Sequence, residues 1–212
     1  MAALDLQEQE QVEEFKAWWK ENRNHLIGAV LIVVVVIGGW RGWHYYQYRQ
    51  SSQAATLYEG FLKQLESSDA GRVNDAATVV MDKFAGTGYA PRAALLAATL
   101  NVQNKDAERA KTQLKWVADH AGEAELRDVA RLRLASMYLD ESKYSEALQL
   151  LNAKHPASFD GLYEDLRGDV LNAQGKHDDA RSAYKLAYEK TGEGSVYRNL
   201  IQMKMDALVS SK

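Results

Sequence analysis

The chain has no cysteine. That excludes disulfides, thiolate metal sites, a cysteine nucleophile and a lipidated N-terminal cysteine, but it leaves the redox compartment open, because a cysteine-free chain tolerates either. Proline is nearly as scarce: Pro91 and Pro156 are the only two in 212 residues. Strand-type alternation of apolar and polar residues is also absent. Few helix breakers and no period-two pattern predict a chain that is helical nearly throughout. An excess of one charge is missing too. Of 26 basic and 29 acidic residues, 22 and 23 lie from Trp43 onward. That part is nearly neutral and carries no basic stripe to neutralise a phosphate backbone, which argues against nucleic acid as a partner.

What the chain does have is one long oily run. Leu26 to Trp40 read LIGAVLIVVVVIGGW, with no charge and no strong hydrogen-bonding side chain. Fifteen residues are short for a hydrocarbon layer of roughly 30 Å, which needs about 20 helical residues. The aromatic flank extends the run: Arg41 can snorkel outward while Gly42, Trp43, Tyr45 and Tyr46 continue the helix. Trp18, Trp19, Trp40, Trp43, Tyr45, Tyr46 and Tyr48 supply the interfacial belts of such a span. A core helix seldom lacks any polar face, and the exit through Trp40, Arg41 and Trp43 offers no small-residue cleavage site. A permanent transmembrane helix over residues 26–46 is therefore expected. Lys16, Lys20 and Arg23 precede it and Arg41 and Arg49 follow, a small excess that favours a cytoplasmic N-terminus. Residues 1–25 form a short cytoplasmic or interfacial segment in which Val12, Phe15, Trp18 and Trp19 share a helical face. Membrane anchoring or a specific cytoplasmic docking site would each explain that face.

Residues 47–212 suffice for one domain with a substantial core. Apolar residues recur at three and four, as in Leu95, Leu96, Ala98, Thr99 and Val102, then Val129, Leu132, Leu134 and Tyr138, then Leu162, Leu166, Val170 and Leu171. Breaks at residues 67–71, 86–88, 104–106, 122, 141–143, 155–159, 175–177 and 192–194 cut the domain into about nine helices of about 11 to 19 residues. Two helix pairs repeat. Ala135 and Ala147 are twelve apart, and so are Gly168 and Ala180, with a third copy at Ala98 and Ala110 followed by Leu114 and Val117. Small residues at that spacing let two antiparallel helices approach closely where they cross. A period near 34 with small and large residues alternating is similar to the tetratricopeptide signature, although its early tryptophan is missing and its closing proline is absent or displaced. Asp69 to Phe84 and the helix before it would make a degenerate first repeat. The expected fold is all-α: one N-terminal transmembrane helix, then a tetratricopeptide-like right-handed α-solenoid of hairpins, with residues 194–209 as a C-terminal capping helix.

The order of several soft motifs around the one anchor resembles a known family. Gln11-Val12-Glu13, Lys16, Trp18-Trp19, Glu21-Asn22 and Gly39-Trp40-Arg41 are followed by Leu132-Arg133-Leu134-Ala135, Leu166-Arg167-Gly168-Asp169, Ala180-Arg181-Ser182-Ala183-Tyr184 and Gln202-Met203-Lys204. Together they are similar to the ancillary subunit of the bacterial SecYEG translocon, a single-span inner-membrane protein with a periplasmic tetratricopeptide-like domain. The resemblance implies an N-in orientation and a place beside the translocon. It also implies a complex with a membrane-anchored periplasmic chaperone related to prolyl isomerases, assistance to newly exported client proteins, and no catalytic residues or cofactor.

Enzymatic readings find little support in the residues. His25, His44, His120, His155 and His177 never pair at a metal-binding helical spacing and read as surface or interfacial residues. Gly86-Thr87-Gly88 is too short for a phosphate cradle, and Asp178-Asp179 suits a helix start. If the first helix of each hairpin lines the concave face, a protein-binding groove is formed by Arg92, Leu95, Thr99 and Val102, by Val129, Leu132, Ser136 and Leu139, and by Leu162, Asp165, Asp169 and Asn172. Its first two-thirds read as apolar and suit a partner segment. Whether the groove is open or filled by the C-terminal helix stays undecided at this level. Gly38 and Gly42 have the spacing for close packing against another span. A rival reading makes the cytoplasmic tail a restraint on a stress-response factor.

Overall fold

A computed structural model of the chain describes residues 2–67 and 69–210. Met1, Ser68, Ser211 and Lys212, which fall in the expected tail, break and repeat domain, lie outside the described residues. All described elements are helical: α1 (Ala2–Ser67), α2 (Ala70–Lys83), α3 (Tyr89–Gln103), α4 (Ala107–His120), α5 (Ala124–Asp140), α6 (Tyr144–Leu151), α7 (Asp160–Ala173), α8 (His177–Lys190) and α9 (Val196–Ser210), with a 3₁₀ turn at Ala157–Phe159. The chain divides between Arg49 and Gln50 into two compact units, each taken by itself below.

The first unit is helical through residues 25 and 46, so the expected limits of the span are not helix ends. Glu10–Ser67 contains one stretch long and apolar enough to cross a membrane. Val30, Val35 and Val36 are 61, 71 and 63% exposed. A helix apolar on every side and covered by nothing is unstable in water and stable in lipid. Phe15 stacks on Trp18 and Trp19 with ring centroids 6.1 and 6.5 Å away, as their shared face predicts.

In the second unit the core is a series of small clusters strung along the chain. Phe61 packs with Val73, Ala77 and Val80 of α2 and with Ala93 and Ala97 of α3, which completes the degenerate first repeat. Ala98, Ala110, Leu114 and Val117 then meet Ala130 and Leu134 of α5. Ala135, Ala147 and Leu151 meet Tyr163 and Val170 of α7, and Ala180, Tyr184 and Ala187 meet Ile201 and Leu208 of α9. Each hairpin is thus covered by its neighbours in sequence, the pattern of a repeat stack.

The three hairpins share one turn. Seven residues past the small residue of each first helix stand Lys105, Ser142 and Gly175, with φ of 63, 59 and 76°. The next amide reaches back six-to-one: Asp106 to Asn101 at 2.8 Å, Lys143 to Tyr138 at 2.8 Å and Lys176 to Leu171 at 3.0 Å. This is the left-handed helix stop that reverses the chain tightly and satisfies orphan carbonyls, and only the third copy uses the glycine it favours. The Asp69 side chain caps α2 through the amides of Gly71 and Arg72, and Asp106 caps α4 through Arg109. Asp178 and Asp179 lie in the first turn of α8, as read from sequence.

One length differs from expectation. α6 has 8 residues, short of the expected 11. It ends at Leu151 with Asn152 as its cap, and the chain then leaves the helix and runs through His155-Pro156 into the 3₁₀ turn.

Candidate functional site

Helices α3, α5 and α7 lie side by side, and the twelve residues expected to line their common face are divided by the structure among three environments. Some hold the stack together. Leu95 is only 8% exposed and belongs to the core, and Val129 packs against the same cluster. Leu132 and Leu139 are half-buried against the cluster around Tyr163. Arg92 spans to the start of α5, donating to both carboxylate oxygens of Glu123 at 2.7 and 2.8 Å. That bond raises the guanidinium further and lowers the Glu123 carboxyl. Asn172 contacts His177 at 3.0 Å across the turn.

Others are open. Thr99, Val102 and Ser136 come together in a cleft of about 320 Å³ between α3 and α5. Its base is apolar, formed by Ala98 and by Leu114 of α4, which is 1% exposed. Met137 forms one wall and Arg133, Gln103 and Asp140 make a polar rim, so the expected apolar groove is here a pocket with an oily floor and a charged edge. The rim is ordered: Arg133 Nη1 donates to Thr99 Oγ1 at 3.0 Å and to the Leu95 carbonyl at 3.5 Å. A smaller cleft of about 180 Å³ continues past Val102 to Lys105 and Glu141.

The third group is partly occupied. Leu132, Ser136, Leu162, Asp165 and Asp169 border a cleft of about 310 Å³ between α5 and α7, and Tyr197 of α9 forms its far side. Lys204 Nζ donates to both oxygens of Asp165 at 2.9 Å and to Asp169 at 2.8 Å, while the Tyr197 hydroxyl reaches Asp165 at 3.1 Å. Asp165 is 2% exposed. Its burial pushes the carboxyl above the usual range against the pull of Lys204. Burial also pulls the Lys204 ammonium down, and hydrogen bonds to Asp169 and Asp165 more than reverse this. The C-terminal helix thus walls one side of the α7 section and does not reach the α3–α5 section. Asp165 and Asp169, expected as groove residues, border this cleft and also hold Lys204 of that helix.

Sequence reasoning overlooked Arg133. It stands one helical turn before Ser136, the residue one repeat after Thr99, and that placement is the signal that brings it to the cleft. It also overlooked a buried amide triad: Asn101 exchanges hydrogen bonds with Asn74 at 2.8 and 2.9 Å and donates to Gln113 at 2.8 Å, and Gln113 returns one to Asn74. All three are 6% exposed or less, so the network pins α2, α3 and α4 in one register. His155 stacks on Tyr163 at 3.8 Å and faces Asp160 at 3.3 Å. Among the described residues no group of His, Cys, Asp or Glu is placed to hold a metal ion. Nothing within 4 Å faces Gly38 or Gly42.

The sequence model of the tetratricopeptide repeat-like domain family matches residues 16–210. A protein from Neisseria gonorrhoeae named as an ancillary SecYEG translocon subunit is 30% identical over 210 residues, covering 97% of this chain and 99% of the relative. Proteins of the same name from Aggregatibacter actinomycetemcomitans and Escherichia coli are each 27% identical, over 97 and 95% of this chain and 100 and 96% of their own lengths. No solved structure matches.

Proposed function

Because this chain belongs to the family of ancillary SecYEG translocon subunits, we propose that it is a non-enzymatic scaffold, fixed in the inner membrane by residues 26–46, that binds other proteins on the periplasmic side of the Sec translocon. On this reading the N-terminus is cytoplasmic and residues 47–212 are periplasmic. Their partners are the translocon, a membrane-anchored prolyl-isomerase-like chaperone and exported client proteins, whose trafficking or folding they assist. The mechanism is proximity: tethering beside the exit of the channel raises the effective concentration of weakly held partners, so modest affinity in the groove suffices. Gly38 and Gly42 offer the span a flat face for a neighbouring helix.

The observation that supports this most directly is the division of the groove. Lys204 and Tyr197 border its α7 end, where a cleft of about 310 Å³ remains, while Thr99, Val102 and Ser136 border one of about 320 Å³ whose lining contains no α9 residue. Leu132 and Leu139 are half-buried against the cluster around Tyr163, so the exposed Val102 and Gln103 are the positions from which capture is tested. Photo-crosslinkers at Val102 and Gln103 should trap translocon subunits or exported chains in intact cells, and crosslinkers at Lys185 and Glu189 on α8 should trap few. Equal labelling from both faces would remove the groove reading. Protease added to spheroplasts should digest the repeat domain, and its protection there would overturn the orientation.

A further inference from the structure

We propose that α9 is a displaceable strap over an ammonium-recognition seat on α7 and α8, and that the seat takes a lysine-bearing amphipathic helix of a partner protein when α9 lifts. The seat lies under α9, so it stands or falls apart from capture at the α3–α5 cleft. The first argument is what the seat contains. Asp165 and Asp169 stand one turn apart on α7 and meet at a single ammonium, Lys204 Nζ, at 2.9 and 2.8 Å. The Tyr184 ring of α8 is centred 5.6 Å from the same ammonium, and its hydroxyl donates to Asp169. Two carboxylates this close repel each other unless a cation lies between them, and Asp165 is buried, so the seat demands a positive charge. Beside it Ala180, Tyr184 and Ala187 give an apolar floor that receives Ile201 and Leu208. The seat therefore reads a helix with Tyr, Ile, Lys and Leu at the spacing of residues 197, 201, 204 and 208, which share one helical face. α9 is its ligand in cis and displays the chemistry a ligand in trans must copy.

The second argument is how lightly α9 is held. Of its described side chains, Ile201 and Leu208 alone belong to the buried core. Its connection to α8, Thr191-Gly192-Glu193-Gly194-Ser195, holds two glycines that nothing within 4 Å confines, and their torsional freedom suits a hinge. Docking also leaves Arg198 Nε buried without a hydrogen bond, with the guanidinium 4.0 Å above the Tyr188 ring. Lifting α9 returns that unmet donor to water. A permanent cap carries a polar outer face, whereas Val196, Leu200 and Met203 lie exposed along the outside of α9. A terminal helix tied by one charged cluster and a short apolar strip opens before the hairpins beneath it.

The test uses the full chain in lipid nanodiscs. Amide exchange followed by mass spectrometry should show α9 opening as one unit, about tenfold or more faster than α7 and α8. Lys204→Met, which strands the two carboxylates, should raise that opening about a hundredfold. The probe for the seat is a fluorescent peptide of residues 194–210, made with Lys204 kept or with the change Lys204→Met. The chain carrying Lys204→Met should bind the lysine peptide about tenfold or more tighter than the methionine peptide. The unaltered chain should bind the lysine peptide about tenfold or more weakly than that variant does, because its own Lys204 competes at a high effective concentration. Exchange of α9 in step with α7 and α8 in the unaltered chain overturns the proposal whatever the variant does. Equal affinity of the variant for the two peptides, or binding of neither, overturns it as well. Crosslinking from Val102 reads the α3–α5 cleft separately, so a failure here is distinct from a failure of the groove reading.

Discussion

Gly168 and Tyr184 give the most direct test of how this stack is built. Sixteen residues after the small residue of each hairpin stand Leu114, Leu151 and Tyr184. The first two face Ala98 and Ala135, whereas Tyr184 faces a glycine. A Cβ on Gly168 would stand 2.4, 2.5 and 2.9 Å from three atoms of the Tyr184 ring. The ring cannot retreat, since it is 2% exposed and its hydroxyl donates to Asp169 at 2.8 Å. Gly168→Ala therefore adds about 1–3 kcal/mol of overpacking. Helix propensity returns about 1 kcal/mol, which leaves a net loss of about 0–2 kcal/mol. Tyr184→Leu alone gives up ring area and the bond to Asp169. The double variant recreates the Ala–Leu pair of the other hairpins without the clash, so the two changes should couple favourably by about 1–3 kcal/mol. Urea unfolding of the full chain followed by circular dichroism, with amide exchange in α7 and α8 as a local readout, gives the four corners of the cycle. The propensity gain of alanine cancels in it. Energies additive within about 0.5 kcal/mol would show that the close approach does not govern the packing.

The other predictions concern the turns, the amide triad and the alkaline limit. Lys105→Gly and Ser142→Gly relieve a left-handed backbone that costs a side chain about 1–2 kcal/mol. After the greater freedom of glycine when unfolded, each should still raise stability by about 0.5–1 kcal/mol in urea titration. Asn101→Ala strands buried groups of both Asn74 and Gln113 and should cost about 2–4 kcal/mol, at about 1–3 per stranded group; a loss under 1 would show that water replaces it. Lys111 lies between Glu108 and Glu141 and is pushed up to about 12 from its ordinary 10.5. Lys204, Tyr163 and Tyr184 are also raised. Groups raised in the folded state contribute stability that is complete below their unfolded values, near 10 and 10.5, and lost as pH rises through the folded ones. The melting temperature should therefore fall from about pH 10 upward, and less steeply in Lys204→Met. A flat melt to pH 12 would contradict these pairings.

Much of this was legible along the chain because it is periodic. The Ala-to-Ala spacing of twelve, the turns at 104–106, 141–143 and 175–177, and the apolar run at residues 26–40 are local patterns, and each corresponds to an element that forms. The site was less legible. Position on a repeat says which face a residue is on, but burial depends on what the next helix brings. Leu95 and Thr99 are one turn apart on α3, yet one is core and the other opens on the cleft.

The sequence by itself determined the helical repeats, the oily stretch and the close helix crossings, since propensity, spacing and side-chain size act within a few dozen residues. Only the tertiary structure decided which part of the groove the C-terminal helix borders. Lys204 reaches Asp165 and Asp169 across 39 and 35 residues, and Arg133 reaches Thr99 across 34. Those pairings depend on how successive hairpins are stacked, a geometry that no local stretch encodes alone.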